Sequence, residues 1–168
     1  ILAFLLTALL LSACLPALAV EGEALPAPDT QAQGFAYTMR YDAERFTFMP
    51  ATDAANPVDV FLWNGQMEGY PNVFVSISRL GGFTAEDAMA GLKHQSGRDG
   101  EDGEMSVAGQ LCPTFRFAEG DAHDSRVCTY VCVPVGADVL LVELDWFVEA
   151  QEGVAPRMYA MLETLDVK

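Results

Sequence analysis

The segment that most constrains the fold is residues 138–148, where every second side chain is large and apolar. The positions concerned are Leu140, Val142, Leu144, Trp146 and Val148. Successive side chains of a β-strand point to opposite faces, so this pattern predicts a strand with one face in a hydrophobic core. Such a strand needs neighbours to pair with and a second layer to cover its apolar face.

Shorter β-type runs and turn residues occupy much of the sequence before this strand. Strands are predicted over residues 36–40, 45–48, 58–63, 73–80, 105–117 and 126–133. Asn64 and Gly65 follow one of these runs and predict a two-residue hairpin, because both residues tolerate positive φ. Pro113 predicts a break within the longest run, because proline cannot donate to a strand ladder.

Two segments show helical rather than β spacing. The first begins after Thr84, which is suited to cap a helix, and its apolar stripe consists of Ala85, Ala88, Met89 and Leu92. The second closes the chain, with Pro156 expected in its first turn, and its stripe consists of Val154, Met158, Met161, Leu162 and Leu165. Strands grouped in hairpins with two amphipathic helices predict an α+β fold, an antiparallel sheet with both helices packed on it.

The start of the sequence has the character of a targeting segment. Residues 1–20 carry no charge and are dominated by Leu and Ala. An apolar run followed by small residues is typical of a secretory signal peptide, and residues 17–19 supply a cleavage site. A permanent anchor is the alternative, since roughly 20 apolar residues can span a bilayer, but Pro16 disfavours it. We therefore predict a signal peptide over residues 1–19 and an extracytoplasmic protein.

A second processing signal overlaps the first. Residues 11–14 read Leu-Ser-Ala-Cys, the pattern of a lipobox, which makes Cys14 a lipidation candidate. Acyl chains on Cys14 would attach the protein to a membrane. The apolar run continues past Cys14, however, whereas lipoproteins usually turn polar there. The sequence is therefore compatible with both a secreted protein and a membrane-anchored lipoprotein.

The part of the chain beyond the leader is long enough for one domain with a real core. Residues 20–34 are rich in Ala, Pro, Glu and Gln without an apolar period, which predicts a flexible tether. Residues 35–168 are predicted to form a single α+β domain.

The charge of the chain excludes one class of function. Its 24 acidic and nine basic residues give a formal net charge of −15. Affinity for a phosphate backbone comes mainly from Lys and Arg, so we predict no nucleic-acid partner. Adsorption to anionic lipid is disfavoured for the same reason.

The order of these elements resembles that of a known superfamily. Residues 41–50, with the sequence YDAERFTFMP, resemble the first hairpin of the superfamily that includes the PsbP subunit of photosystem II and the Mog-type Ran-binding factors. The strand over residues 73–80, which leads into FTAED at residues 83–87, and the later meander and helix are also similar. The resemblance implies a central antiparallel sheet with helices on its faces. Bacterial members of this superfamily are largely small exported proteins and lipoproteins without assigned activity. The resemblance implies no functional residues here.

Three cysteines follow Cys14 in the sequence. A hairpin folded about residues 120–123 would place Cys112 nearly opposite Cys132, which makes a Cys112–Cys132 disulfide a candidate in an oxidising compartment. The alternative is that these two thiols and that of Cys128 are buried as small apolar side chains. The cysteine spacings do not match those of a zinc finger.

The remaining polar residues give little indication of chemistry. Residues 98–104 contain four carboxylates, which could bind calcium, but the spacing is not that of an EF-hand and a solvated loop is favoured. The two histidines, His94 and His123, accompany no pairing of a nucleophile with a base and are interpreted as exposed polar residues. We therefore predict no catalytic residues, no metal site and no cofactor.

One aromatic cluster could form a recognition surface. Trp63, Met67 and Tyr70 lie around a glycine-containing turn, where exposed aromatic side chains would bind a partner. The apolar stripe over residues 58–63, which ends at Trp63, could equally belong to the core, and this alternative is favoured. The function predicted from the sequence is a non-catalytic binding or accessory module of the cell envelope, with an envelope protein or a small ligand as its unidentified partner. The alternative is an enzyme whose scattered active-site residues leave no motif.

Overall fold

The computed structural model describes residues 26–168, so the predicted signal peptide and the lipidation candidate Cys14 lie outside the described residues. The strands are β1 (Thr30–Gln33), β2 (Tyr37–Tyr41), β3 (Phe46–Met49), β4 (Val58–Trp63), β5 (Phe74–Gly81), β6 (Glu101–Val107), β7 (Gln110–Ala118), β8 (Arg126–Val135), β9 (Asp138–Phe147) and β10 (Asp166–Val167). The helices are α1 (Ala85–Ser96) and α2 (Gln151–Leu162), and a 3₁₀ turn, Val148–Ala150, precedes α2.

The strands form one large and one small sheet. The large sheet has seven antiparallel strands in the order β3-β4-β5-β9-β8-β7-β6, and the small sheet has the order β1-β2-β10. Helix α1 packs on β7 and β8, whereas α2 packs on β9 and β2, and the two helices contribute to separate hydrophobic clusters. The predicted α+β class, an antiparallel sheet with two packed helices, is confirmed.

Strand β9 is the strand with the alternating apolar residues, and it lies at the centre of the large sheet between β5 and β8. Leu140, Val142, Leu144 and Trp146 belong to the cluster that contains α2. The opposite face of the strand is also covered, since Val139 lies in the cluster that contains α1. The central strand is therefore buried on both faces, whereas its alternating pattern predicted burial of one face only.

Helix α1 begins and ends as its sequence predicts. The Thr84 hydroxyl oxygen accepts a hydrogen bond from the Asp87 backbone N–H at 3.1 Å, which caps the first turn. Gly97 ends the helix with φ of 60°, a conformation that glycine adopts without steric strain. The buried side chains are those of Ala85, Ala88 and Met89, as the helical spacing indicated.

Helix α2 begins earlier than the position of its proline indicated. Pro156 is the sixth residue of the helix rather than a residue of its first turn, because the 3₁₀ turn after β9 continues directly into the helix at Gln151. Pro156 has no backbone N–H to donate to the preceding turn, so the helix lacks one intrahelical hydrogen bond there. Its buried residues include Val154 and Met158. Within residues 26–168, neither helix combines the length and apolar content needed to cross a bilayer.

Part of the predicted tether is folded. Residues Thr30–Gln33 form β1, which pairs antiparallel with β2, and Ala32 is only 2% exposed in the main core. The segment lacks an apolar period because the pairing uses backbone groups, which any side chain permits. The folded domain therefore begins at β1, five residues before the predicted boundary at Phe35.

The predicted two-residue hairpin at Asn64 and Gly65 is wrong. Strand β5 begins only at Phe74, so residues 64–73 form a longer loop. Asn64 instead holds the turn before β3: its backbone N–H donates to the Arg45 carbonyl at 2.7 Å, and its side-chain amide donates to the Glu44 carbonyl at 3.1 Å. A tertiary contact has thus replaced the local hairpin that the dipeptide favours.

The break predicted at Pro113 lies elsewhere. Strands β6 and β7 are joined at Ala108 and Gly109, which have φ values of 51° and 73° and make a tight turn. Pro113 lies inside β7 opposite Glu104, and pairing of β7 with β8 begins at the next residue, Thr114. The proline is therefore accommodated where the ladder to β8 has not yet started.

Candidate functional site

A groove between the β4–β5 loop and helix α2 has the size and lining of a small-molecule site. Its volume is about 380 Å³. Its apolar wall is formed by the side chains of Trp63, Met67, Val73, Phe147 and Val154. Sites for small molecules are typically concave, largely apolar and a few hundred Å³ in volume.

Trp63 is placed in the groove by the register of the sheet. It is the last residue of β4 and lies opposite Phe46 of β3, with the two ring centroids 5.1 Å apart in an edge-to-face arrangement. Gly65 lies close to the indole: a Cβ atom added at this position would lie 2.5 Å from Trp63 Nε1. A side chain at residue 65 would therefore displace the tryptophan.

The loop that carries Met67 is held at its base by Gln66. The Gln66 side-chain amide donates to the carbonyl oxygens of Trp63 and Val73, each at 2.9 Å, and the Val73 backbone N–H donates to Gln66 Oε1 at 3.2 Å. Met67 itself is 49% exposed at the edge of the groove. Gln66 carries no motif, so sequence reasoning overlooked a residue that shapes the groove.

Tyr70 supports the groove without lining it. Its ring lies 4.7 Å from that of Phe147, a wall residue, and 5.8 Å from the ring of the exposed His123. The Tyr70 hydroxyl donates to Glu149 Oε2 at 3.3 Å. The structure thus brings the three predicted recognition residues to one site, with Trp63 and Met67 in the wall and Tyr70 behind it.

Two arginines line the same groove. Arg157, on α2, donates from Nε to the Gly153 carbonyl at 3.2 Å, and its Nη1 lies 3.6 Å from Asp42 Oδ2. Nη1 is buried and has no hydrogen-bond acceptor in the part of the chain that the structure describes. Arg45 lies at the exposed edge of the groove.

The structure does not form the predicted Cys112–Cys132 disulfide; Cys112, Cys128 and Cys132 are free and buried. Thr114 pairs with Val131, and the same register one residue on sets Cys132 opposite position 113 rather than Cys112. Cys112 therefore faces the α2 side of the sheet and Cys132 the α1 side. Burial raises the pKa of Cys132 to about 12 and raises that of Cys112, so neither thiol is activated as a nucleophile.

A polar cluster lies on the α1 face of β8 and β9. The Arg126 guanidinium donates to Asp145 and, at 2.8 Å, to Glu143, while Cys128 Sγ lies 3.8 Å from Glu143. Potential metal-ligand atoms of Cys128, Glu143 and Asp145 lie within 4.8 Å of one another. Arg126 already supplies a cation to both carboxylates, so we assign the cluster to a structural ion-pair network. Its members alternate along two neighbouring strands, a pattern that carries no recognisable motif.

The acidic segment 98–104 is a loop, as predicted, only over residues 98–100. Glu101, Asp102 and Glu104 lie on β6, the edge strand of the large sheet, where successive side chains point to opposite sides. Asp102 forms an ion pair with Lys93 of α1. The carboxylates are thus spread along a strand and do not converge on a common point. His94 lies exposed on α1 and His123 beside Tyr70, as exposed polar residues.

Sequence comparison finds no similar protein, whereas structural comparison finds proteins of similar fold. No known protein family and no curated protein matches the sequence. The solution structure of cyanobacterial PsbP from Synechocystis matches with a TM-score of 0.53 and 14% identity over 90% of this chain and 99% of that one. A crystal structure from Bacteroides thetaiotaomicron matches with a TM-score of 0.55 and 11% identity over 82% of this chain, which spans about half (47%) of that protein. The chain therefore has a PsbP-like α+β fold, as the resemblance predicted.

Proposed function

We propose that this chain is an exported, non-catalytic binding module whose groove beside α2 takes a small, largely apolar ligand. The observation that carries the proposal is the groove itself, with its apolar wall around Trp63 and its volume of about 380 Å³. The PsbP-like fold is consistent with an accessory role.

The composition of the groove favours binding over catalysis. Among the described residues, its lining includes no Ser, Thr, Cys, His or Lys side chain, and its charged members are Arg45, Glu149 and Arg157. Nucleophilic catalysis needs a nucleophile within hydrogen-bonding distance of a base. The alternative of an enzyme with scattered active-site residues therefore has no support from this groove.

Export is proposed from residues 1–19, and Cys14 decides between two destinations. Signal-peptide cleavage after residue 19 would release a soluble protein, whereas lipidation of Cys14 would attach it to a membrane surface. Intact mass spectrometry of the mature protein from its native host separates these outcomes, because an acylated protein retains Cys14 and the mass of its lipid. Recovery of the chain from the cytosol with residues 1–19 attached would contradict export.

Filling the groove tests the binding proposal. Gly153 lines the groove on α2, and a Cβ atom there would meet no atom within 4 Å, so the variant Gly153→Leu adds a side chain without a backbone clash. Leucine also favours a helix over glycine by up to about 1 kcal/mol, so the variant is expected to fold. We expect it to reduce the affinity for 3-phenylpropionamide, a neutral apolar probe, by tenfold or more, on the order of 1.4 kcal/mol, in isothermal calorimetry.

The matched control is Gly91→Leu. Gly91 lies exposed on α1, and a Cβ atom there also meets nothing within 4 Å, so this variant makes the same change outside the groove. We expect it to bind the probe as the unaltered protein does. An unaltered protein that does not bind the probe, or two variants that bind equally well, would contradict the proposed site.

A further inference from the structure

We infer that the ligand of the groove carries a single carboxylate, which Arg45 and Arg157 bind. This inference rests on the proposed function and specifies the chemical class of the ligand as an apolar monocarboxylic acid. Both arginines line the groove together with its apolar wall, so one small molecule could contact the wall and the two guanidinium groups at once.

Arg157 has unused hydrogen-bonding capacity at a buried position. Its side chain is 17% exposed, and Nη1 is buried without an acceptor among the described residues. The Asp42 carboxylate, at 3.6 Å, is too far for a direct hydrogen bond and supplies only electrostatic attraction. Nη1 itself is closed to the groove, so a ligand would contact Arg157 at the other atoms that line it.

Arg45 is the second cation of the groove. Unlike Arg157, it has no acidic partner among the described residues. Within residues 26–168 its guanidinium takes part in no ion pair or side-chain hydrogen bond, although acidic residues greatly outnumber basic ones in the chain. Its backbone is fixed in the turn before β3, since its N–H donates to the Asp42 carbonyl at 3.1 Å and its carbonyl accepts from Asn64. The side chain is thus anchored at the edge of the groove.

The groove favours one negative charge over two. Asp42 lies beside Arg157, and Glu149 lies on the lining, where the Tyr70 hydroxyl bonds it. With Asp42 and Glu149 close to the two arginines, a second negative charge on the ligand would gain little net attraction and would cost more to desolvate. The planar guanidinium also matches the geometry of a carboxylate.

The test compares two probes of nearly equal shape, 3-phenylpropionate and 3-phenylpropionamide, by calorimetry at pH 7.5 and low salt. We expect the acid to bind about tenfold more tightly than the amide, because hydrogen bonds to charged groups are stronger than neutral ones. Arg45→Gln, at an exposed position, is expected to reduce the acid-to-amide affinity ratio about threefold, and Arg157→Gln to act in the same direction.

Arg79→Gln is the matched control because it removes the same charge at an exposed site. Arg79 lies on β5, six residues and about 20 Å of extended strand from Val73 in the groove wall. We expect the acid-to-amide ratio to stay unchanged in this variant.

Each outcome decides the inference. Equal binding of acid and amide, or an equal response of the ratio to Arg45→Gln and Arg79→Gln, would overturn the carboxylate and leave the apolar groove in place. Tighter binding of 2-phenylethylphosphonate than of the acid would overturn the assignment of a single charge. Absence of binding by both the acid and the amide would overturn this inference and the proposed function together.

Discussion

At the scale of single residues, burial moves the pKa of Asp145 close to neutral pH. Its side chain is 1% exposed on β9, beside Arg126, Glu143 and Cys128. Burial raises its pKa to about 7, and this effect exceeds the opposing attraction of Arg126, while Glu143 raises the value further. The carboxyl group therefore takes up a proton in the folded protein at a pH where the unfolded chain has lost it.

This difference predicts how stability changes with pH. Between about pH 4, the ordinary pKa of aspartic acid, and pH 7 the folded state binds more protons than the unfolded state. The free energy of unfolding should therefore fall as pH rises through this window, by up to about 1.4 kcal/mol per pH unit from this residue. Asp145→Asn mimics the protonated carboxyl and should remove this slope, as measured by urea unfolding at pH 4.5, 5.5, 6.5 and 7.5.

The exposed Asp99 provides the control for this pH series. Asp99→Asn removes one carboxylate from the same chain without removing a buried one, so its pH profile should parallel that of the unaltered protein. Parallel profiles for Asp145→Asn and the unaltered protein would contradict the raised pKa.

At the scale of elements, Asp59 of β4 joins three parts of the chain. It is 1% exposed and accepts hydrogen bonds from the backbone N–H groups of Ala51, at 2.7 Å, and Phe35, at 3.4 Å. One donor lies in the β3–β4 loop and the other just before β2, so a single carboxylate fixes both to the sheet. Asp59 thereby links the segment before β2, in the small sheet, to β4 of the large sheet.

Removing that carboxylate should loosen all three segments. Asp59→Ala leaves two backbone donors without their acceptor, and we expect it to lower the free energy of unfolding by about 3 kcal/mol in urea denaturation. Asp59→Asn keeps an oxygen acceptor and should have a smaller effect. Asp53→Ala, which removes a carboxylate from the exposed β3–β4 loop, is the control. An Asp59→Ala variant as stable as this control would show that the two bonds contribute little.

At the scale of the whole molecule, one sheet separates two hydrophobic cores. The larger core lies on the α2 side and contains Cys112, and the smaller lies on the α1 side and contains Cys128 and Cys132. The groove opens on the α2 side, at the end of the larger core, where Phe147 and Val154 belong to both. The groove is therefore an extension of the main core to the surface.

The distribution of the cysteines makes them reporters of both cores. We expect all three to stay free thiols, even in an oxidising compartment. The sheet lies between Cys112 and the other two, and Cys128 and Cys132, four residues apart on β8, are separated by about 13 Å of extended strand. They should react with iodoacetamide only after denaturation, since each is fully buried. Peptide mapping after alkylation without reduction measures both points, and a peptide linked through Cys112 and Cys132 would contradict the register of β7 and β8.

The sequence by itself determined the class of fold and most of its elements. Alternation in β9 and the capped, striped helix α1 are local patterns, so single-chain periodicity and capping chemistry sufficed to predict them. Tertiary structure decided β1, the long loop after Asn64 and the register of Cys112. These features depend on backbone pairing and on contacts between segments distant in the chain, which leave no periodic trace in the residues themselves. Trp63, Met67 and Tyr70 lie close together in the sequence, so the sequence alone indicated them. Arg45 and Arg157 are distant in the chain, and only the fold brings them to the same groove.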